Sequence, residues 1–547
     1  MQNYPSPLEM LYKWERERPD DVYLRQPIND VWHEWTWKQT GQEVRKMAAA
    51  LRGLNLPAGS SIALISKNCA HWMFSDLAIM MAGHVSVPLY PNLQANTLTQ
   101  ILEHSESKLL FVGKLDDWAN VRGGVPAGLR CISFPFYTEP GYETWEEFTA
   151  GKEPLQEEVI RKPEELGTII YTSGTTGMPK GVMLNFGSFG FTGTRAVEVL
   201  KVDKNDSFFS YLPLSHIAER ILVEMGGLYT GGTVSFAETL EKFPKNLGDT
   251  QPTVFLAVPR IWSKFQQGIL KKLPQSRLNI LLAIPIINGV IRKKVKHSLG
   301  LSRARNIFTG AAPTPASLIR WFKRLGIHIQ EAYAMTENCC YSHVTLNDRI
   351  KIGFVGAALP EAEVKLSAEK EVLVRHQGLM MGYFKEPKLS EESFIDGFLR
   401  TGDEGFIDSD GFLKITGRVK DLFKTAKGKY VAPNPIEMLL VANPDLEQVC
   451  VVGDQLPQPI ALAVLSETAK SKSREEILES LKETLEIVNG KLDHHETLAK
   501  IVIMKDGWSV ENQLLTPTMK IKRNEVEKIH TRNYQNWYKK PEVVVWE

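Results

Sequence analysis

Cysteine is scarce in this chain: Cys69, Cys131, Cys339, Cys340 and Cys450 are the five among 547 residues. So few and so scattered, they make no disulfide framework, and a reducing, intracellular and in the first instance cytoplasmic setting is the simpler expectation. A charge excess of one sign is lacking too. Lysine plus arginine number 65 and aspartate plus glutamate 64, a formal net charge of +1. That balance removes the global electrostatic case for nucleic acid or for general attraction to an anionic membrane. Long hydrophobic runs are also absent. The opening residues, MQNYPSPLEMLYKWERERPDD, turn polar before a signal-peptide core could form. The longest apolar stretch, residues 278–291, is interrupted by Asn279, Pro285, Asn288 and Gly289 and is too short to span a bilayer. Its flanks are basic, with Lys271, Lys272 and Arg277 before it and Arg292, Lys293, Lys294 and Lys296 after. A buried helix with solvated ends is the expectation; peripheral contact with a membrane surface is the alternative.

With 43% hydrophobic and 24% charged residues, the chain has a soluble globular composition, and its length exceeds one core. Residues 9–55 look helical, broken by polar turns. Short apolar runs then alternate with helical patterns: 61–65, 70–81, 84–90 and 108–112, and later 207–211, 219–228, 253–258, 261–270, 306–309 and 315–325. Such alternation predicts an α/β architecture, a large multi-layer N-terminal domain with β-sheets flanked by helices. Several of the strands end where polar motifs begin, the place open α/β sheets hold ligands. Turn residues crowd near 400–421. About 125 residues follow with helices and strands of their own, enough for a small α+β domain. The expected division is 1–417 and 418–547.

Directly after Ile169-Ile170 comes YTSGTTGMPKG, residues 171–181. Glycines let successive backbone N–H groups converge on an anion, hydroxyls add donors, and Lys180 adds a movable charge. The segment suits a polyphosphate, though G-x-x-x-x-G-K-[ST] cannot be fitted to it; an ordinary polar surface loop is the bland alternative. In YLPLSH, residues 211–216, a strand runs into Pro213 and leaves His216 at the mouth of a helix. Gly310-Ala311-Ala312-Pro313 follows another strand, and its small side chains permit close approach of something flat, or simply a tight turn. In EAYAMTE, residues 331–337, Tyr333 can stack on a base, Thr336 can donate to phosphate and Glu337 can hold a divalent cation; core packing and solvation are the alternative. Cys339, Cys340 and His343 lack zinc-site spacing and suggest buried packing. Asp403 in a turn can accept both hydroxyls of a ribose, with Arg418 in reach, or the two can form a surface ion pair. Lys520, in LTPTMKIKR (515–523), follows a proline-containing turn and starts a basic stretch; taken alone it suggests a solvated charge run, with a catalytic lysine the alternative.

Together, YTSGTTGMPKG, YLPLSHIAER (211–220), GRVKDLFKTAKGKYVAP (417–433) and LTPTMKIKR resemble the adenylate-forming acyl-CoA synthetase superfamily, nearest its long-chain fatty acid–CoA ligase branch. The resemblance covers essentially the whole chain. It implies an ATP-dependent, Mg²⁺-assisted joining of a fatty acid to CoA through an acyl-adenylate, with a small C-terminal domain that is mobile. Thr172, Ser173, Gly174, Thr175, Thr176, Gly177 and Lys180 would then hold the β- and γ-phosphates. Gly310, Ala311 and Ala312, with Glu331, Ala332 and Tyr333, would border adenine and the acyl site. Thr336 would touch the α-phosphate, Glu337 would bind the metal, and Asp403 and Arg418 would hold the ribose. Lys420 falls at the hinge, Gly428 on a loop lining the pantetheine channel, Lys520 at the adenylation lysine, and His216 near the carboxylate and the thiol. Ala332 and Ala334 stand where the superfamily often has glycine, Asn185-Phe186 where Thr-His is common, and Lys427 where a glycine is frequent. Ligases of medium-chain or aryl acids and fatty acyl-AMP ligases would share the ATP loop. A non-enzymatic nucleotide-binding scaffold would be favoured had Lys520, Glu337 or Asp403 been absent.

Overall fold

A computed structural model describes residues 4–172 and 179–547. The first helix, Pro7–Glu17, begins where Ser6 accepts from the Glu9 N–H and the Glu9 carboxylate accepts from the Ser6 N–H. This reciprocal cap, with Pro7 at the first position, satisfies donors that the helix itself leaves open. The helical expectation for 9–55 is then corrected. Strands Val22–Ile28 and Val31–Thr36 form an antiparallel hairpin before the helix Trp37–Arg52. Asn29 and Asp30 make its turn at φ of 52° and 66°. Both residue types tolerate the left-handed region that two-residue hairpin turns demand, so the turn chemistry overrode the apparent helical period.

Two large sheets carry the N-terminal part. In one, Val22–Ile28, Thr233–Phe236, Ser207–Ser210, Val254–Ala257, Asn306–Thr309 and Gln330–Tyr333 lie side by side and parallel. The sheet continues antiparallel through His343–Val344 and Gly356–Ala358 to Phe412–Arg418 and Phe398–Ile407. The second sheet runs from Gly382–Tyr383 through Lys180–Asn185 and Leu166–Thr172 to Val85–Leu89 and Ser61–Ile65. Between them lies the helix Ala70–Met81, whose twelve residues are all buried and which touches strands of both sheets. A helix apolar on every side needs such a sandwich.

One charge in that helix requires a partner. Asp76 accepts two 2.6 Å hydrogen bonds from Arg220 Nη2, and Arg220 Nη1 donates to Thr168 Oγ1 at 2.7 Å. Glu224 lies 3.3 Å from Arg220 Nε. Burial and the neighbouring Asp76 raise the Glu224 carboxyl well above its ordinary value against the pull of Arg220. Arg220 begins a π-helical segment, Arg220–Met225, within the expected helix. Such segments are uncommon and often lie beside functional residues.

The C-terminal part has its own four-stranded sheet: Leu446–Val452, Ile460–Leu465, Lys500–Ile503 and Val544–Trp546. Helices Pro433–Leu440 and Arg474–Asn489 pack on one apolar cluster and Arg523–Lys539 on another, which makes this region a folding unit with its own core.

The stretch 278–291 also departs from expectation. It folds as two helices, Gln275–Ala283 and Pro285–Ser298, with Leu278 and Val295 buried but Ile280, Ile284, Ile286, Ile287 and Val290 exposed. A buried helix is therefore not what forms. No helix among the described residues is long and apolar enough to cross a membrane.

Candidate active site

The site is assembled from strand ends. Thr172 ends its strand opposite Lys180, which starts the next, so the two flank the glycine-rich segment as the mouth of a hairpin. Ser173, Gly174, Thr175, Thr176 and Gly177 lie outside the described residues. The Lys180 ammonium stands 5.5 Å from the centroid of the Tyr383 ring, and the Tyr383 hydroxyl donates to Glu337 Oε1 at 2.9 Å. Tyr383 pairs with Val182 in the sheet and so ties the phosphate-loop hairpin to the carboxylate. Sequence reasoning missed this residue, because MGYF carries no local pattern to single it out.

Glu337 lies in the short turn Thr336–Asn338, and both Thr336 and Glu337 are buried. No group of three or more potential metal-ligating side chains forms among the described residues. One carboxylate with an oxygen left over from Tyr383 fits Mg²⁺, which commonly takes one or two protein carboxylates and completes its shell with water and substrate phosphates. After this turn Cys339 and Cys340 take positive φ (48° and 57°), and burial pushes both thiols up to about 12.

Asp403 is cross-strand to Arg418, whose Nε donates to Oδ1 at 2.8 Å; the Tyr333 hydroxyl donates to Oδ2 at 2.8 Å. The Asp403 carboxylate raises the Arg418 pKa above its ordinary value. The hydrogen bond from Tyr333 to Asp403 fixes the plane of the Tyr333 ring, which is half-buried. A Cβ added at Gly310 would meet the Ala332 carbonyl oxygen at 3.2 Å, so the turn lies flat against the strand carrying Tyr333. Ala311, next in the turn, has φ of 64° and, like Ala312, is exposed. Glu331 turns away to accept from the Gly353 N–H at 3.0 Å, and burial holds its carboxyl up at about 7.

Lys520 reaches the same cleft from the far end of the chain. It is accessible to water yet closely surrounded, and this desolvation lowers its pKa below the ordinary lysine range. Arg418 lowers it further, while Asp403 and Glu337 oppose. His216 stands near Lys520. Burial first, then Lys520, brings its pKa down to about 4, so its ring is neutral at pH 7. His216 Nδ1 accepts from the Ala218 N–H at 3.2 Å, which leaves the proton on Nε2. Sequence reasoning also missed the clamp beneath this loop. Asn68 donates to the Leu212 carbonyl and accepts from the Leu214 N–H, and Glu219 accepts from the Tyr211 N–H at 2.8 Å.

The C-terminal region meets the rest of the chain through Asn92 Nδ2, which donates to the Pro517 carbonyl at 3.1 Å, and through an Arg260–Glu447 ion pair. Lys420, in the turn Val419–Asp421, is exposed between the two regions. Gly428 sits at φ of 76° in an exposed turn closed by its N–H to the Thr425 carbonyl at 2.8 Å. No hydrogen bond or ion pair among the described residues joins Gly428 to the Lys520 group.

The chain belongs to the AMP-binding enzyme family, whose model matches residues 11–384; that of the AMP-binding enzyme C-terminal domain matches 420–542. It is 27% identical to the long-chain-fatty-acid–CoA ligase FadD15 of Mycobacterium bovis, over 97% of this chain and 96% of that one. It is 31% identical to the long-chain-fatty-acid–CoA ligase heimdall of Drosophila melanogaster, over 86% of this chain and 77% of that one. Among solved structures, the adenylation domain of a carboxylate reductase from Mycobacterium chelonae superposes with a TM-score of 0.82 at 20% identity, covering 98% and 92% of the two chains. The anthranilate CoA ligase AuaEII in complex with anthranoyl-AMP superposes at 0.80 with 21% identity, covering 97% and 98%.

Proposed function

We propose that the chain is an ATP-dependent acid–thiol ligase that converts a long-chain fatty acid, ATP and CoA into acyl-CoA, AMP and pyrophosphate. The observation that carries this reading is the convergence of Lys520 with Glu337, Asp403 and Arg418 in one cleft. Long-chain substrates are supported by the names of the relatives that align over most of the chain.

The first half-reaction brings two anions together. A carboxylate oxygen attacks the α-phosphorus of ATP, the bond from that phosphorus to the bridging oxygen breaks, and pyrophosphate leaves. Only aimed positive groups can offset that repulsion. Lys520 bridges carboxylate and α-phosphate oxygens, and its crowded, cation-facing position makes its charge more effective than one in open water. His216 stays neutral and donates from Nε2. Thr172 and Lys180 hold the departing phosphates with the loop between them, and Thr336 touches the α-phosphate. Asp403 exchanges its bonds to Arg418 and Tyr333 for the ribose hydroxyls, while Tyr333 lies against adenine beside the turn at 310–312. Glu337, oriented by Tyr383, would hold Mg²⁺, which supplies charge neutralisation on the triphosphate.

In the second half-reaction the CoA sulfur attacks the acyl carbon and AMP leaves, the thiol proton passing to solvent. The residues from 418 onward turn about Lys420 to withdraw Lys520 and bring the Gly428 turn toward the pantetheine path. The sparse contacts at Asn92 and Arg260 suit such a motion.

Product analysis with ATP, Mg²⁺, CoA and a panel of acids tests the reading. AMP with a long-chain acyl-thioester supports it, preference for benzoate or anthranilate replaces the acid class, and ADP with phosphate rejects the chemistry. Lys420→Pro is expected to impair thioester formation far more than pyrophosphate exchange; equal effects would contradict a hinge there.

A further inference from the structure

Between Asp249 and Glu331 the sequence contains fourteen lysines and arginines and not one acidic residue, in a chain whose overall charge is nearly zero. Only Arg260 and Arg305 of these pair with a carboxylate among the described residues. The helices Gln275–Ala283 and Pro285–Ser298 occupy the middle of this segment and form a hairpin turning at Ile284-Pro285. One face is firmly docked: Leu278 and Val295 are buried, the Trp321 indole donates to Gln275 Oε1 at 2.8 Å, and Arg292 Nε donates to the Arg324 carbonyl at 3.0 Å. The tip and outer face are apolar and open, with Ile286 86%, Ile280 63% and Val290 61% exposed.

Charge and apolar surface are ordered along the hairpin. Ile286 and Val290 are four residues apart on one helical face, and Lys294 continues that face one turn further from the tip. At 1.5 Å per residue, Lys294 stands about 6 Å behind Val290. On the preceding helix Arg277 likewise lies behind Ile280. An apolar tip backed by a collar of cations about one turn away matches the layering of a bilayer interface, acyl chains beneath anionic headgroups. A protein partner would need no such depth ordering.

We propose that this hairpin docks the protein on an anionic lipid bilayer, inserting Ile284, Ile286 and Val290 among the acyl chains while Arg277, Lys293 and Lys294 engage phosphate headgroups. This surface belongs to the fold and does not rest on the ligase reading. Its test is run on the full chain without substrates, so the two can fail separately.

Wild-type protein is sedimented with phosphatidylcholine vesicles and with vesicles in which about one third of the lipid is phosphatidylglycerol. Binding is expected to the anionic vesicles alone and to weaken as salt shortens the reach of the collar. Ile286→Glu with Val290→Glu, both at open positions, abolishes it, and each lysine neutralised at 293 or 294 weakens it about fivefold. The proposal is overturned if wild type ignores the anionic vesicles or if the tip variant still sediments with them. It is also overturned if wild type forms a dimer that the tip variant dissociates, or if both bind a polyanion such as heparin equally while neither binds vesicles.

Discussion

Two clusters of mixed charge lie within the N-terminal region's reach, and they are built oppositely. In one, Arg220, Asp76 and Glu224 are shut away from water, with both oxygens of Asp76 accepting from the same guanidinium and Oδ1 also from the Ser86 hydroxyl. In the other, Asp403, Arg418 and Lys520 face an open cleft, where Arg418 reaches Asp403 through Nε and Lys520 is held by no ion pair among the described residues. The first commits its charges to the fold, Asp76 neutralising Arg220 while Arg220 Nε and both Glu224 oxygens stay buried without a hydrogen bond among the described residues, since a buried charge without a counter-charge is intolerable. The second keeps groups available, and the lowered Lys520 pKa marks a cation crowded without being neutralised. Chemistry and stability are thus drawn from similar residues and separated by access to water.

Substitutions can break that contrast. Asp76→Ala removes the hydrogen-bonded partner of Arg220 and leaves it buried with only Glu224 beside it, which should cost about 3 kcal/mol in urea unfolding while leaving the residual folded enzyme's substrate KM unchanged. An unaltered midpoint would mean that water reaches the cluster. Lys520→Ala should show the converse: pyrophosphate exchange falls by about 10²-fold or more, equivalent to about 3 kcal/mol, with the melting temperature held. Thioester formation from supplied acyl-adenylate should be largely spared, and equal loss in both half-reactions would undo the division of labour. Asp403→Asn should raise the KM for ATP about tenfold, the scale of one charged hydrogen bond, and leave the KM for the acid unaffected.

Glu219 offers a sharper comparison, because it is buried like Asp76 but braces the loop of His216. Burial raises its carboxyl from 4.5 to about 8. The folded state therefore keeps a proton that the unfolded chain releases. Its contribution is complete below about pH 4.5 and is lost as pH rises toward 8, at up to about 1.4 kcal/mol per pH unit. Glu219→Gln should flatten that decline in a series of urea midpoints, and an unchanged slope would show the carboxylate to be ionised in the fold. The smallest effect is expected from Tyr383→Phe, which removes one hydrogen bond to Glu337: about 1 kcal/mol, seen as a several-fold higher Mg²⁺ requirement in pyrophosphate exchange.

Much of this was legible in the sequence where the chemistry is local. The helix Ala70–Met81 follows from a mostly apolar stretch between turn residues, broken only by His71, Ser75 and Asp76, and the strand ends at Thr309 and Tyr333 follow from short β-like runs giving way to small and polar residues. The hairpin at Asn29-Asp30 had a readable turn signature that the surrounding polar residues obscured. The candidate site was legible only as separate fragments. Glu337, Asp403 and Lys520 are drawn together by long-range packing, and it was the resemblance of several motifs at once that grouped them. Tyr383, Asn68 and Glu219 had no such aid, because their roles depend on partners 46, 146 and eight residues away.

The five cysteines are guarded against the enzyme's own chemistry. Burial raises the pKa of every one, including Cys339 and Cys340 just beyond Glu337. An acyl-adenylate is an electrophile that any nearby thiolate would intercept. By keeping its own sulfurs protonated and inward, the protein escapes self-acylation and leaves the incoming thiol without an internal competitor.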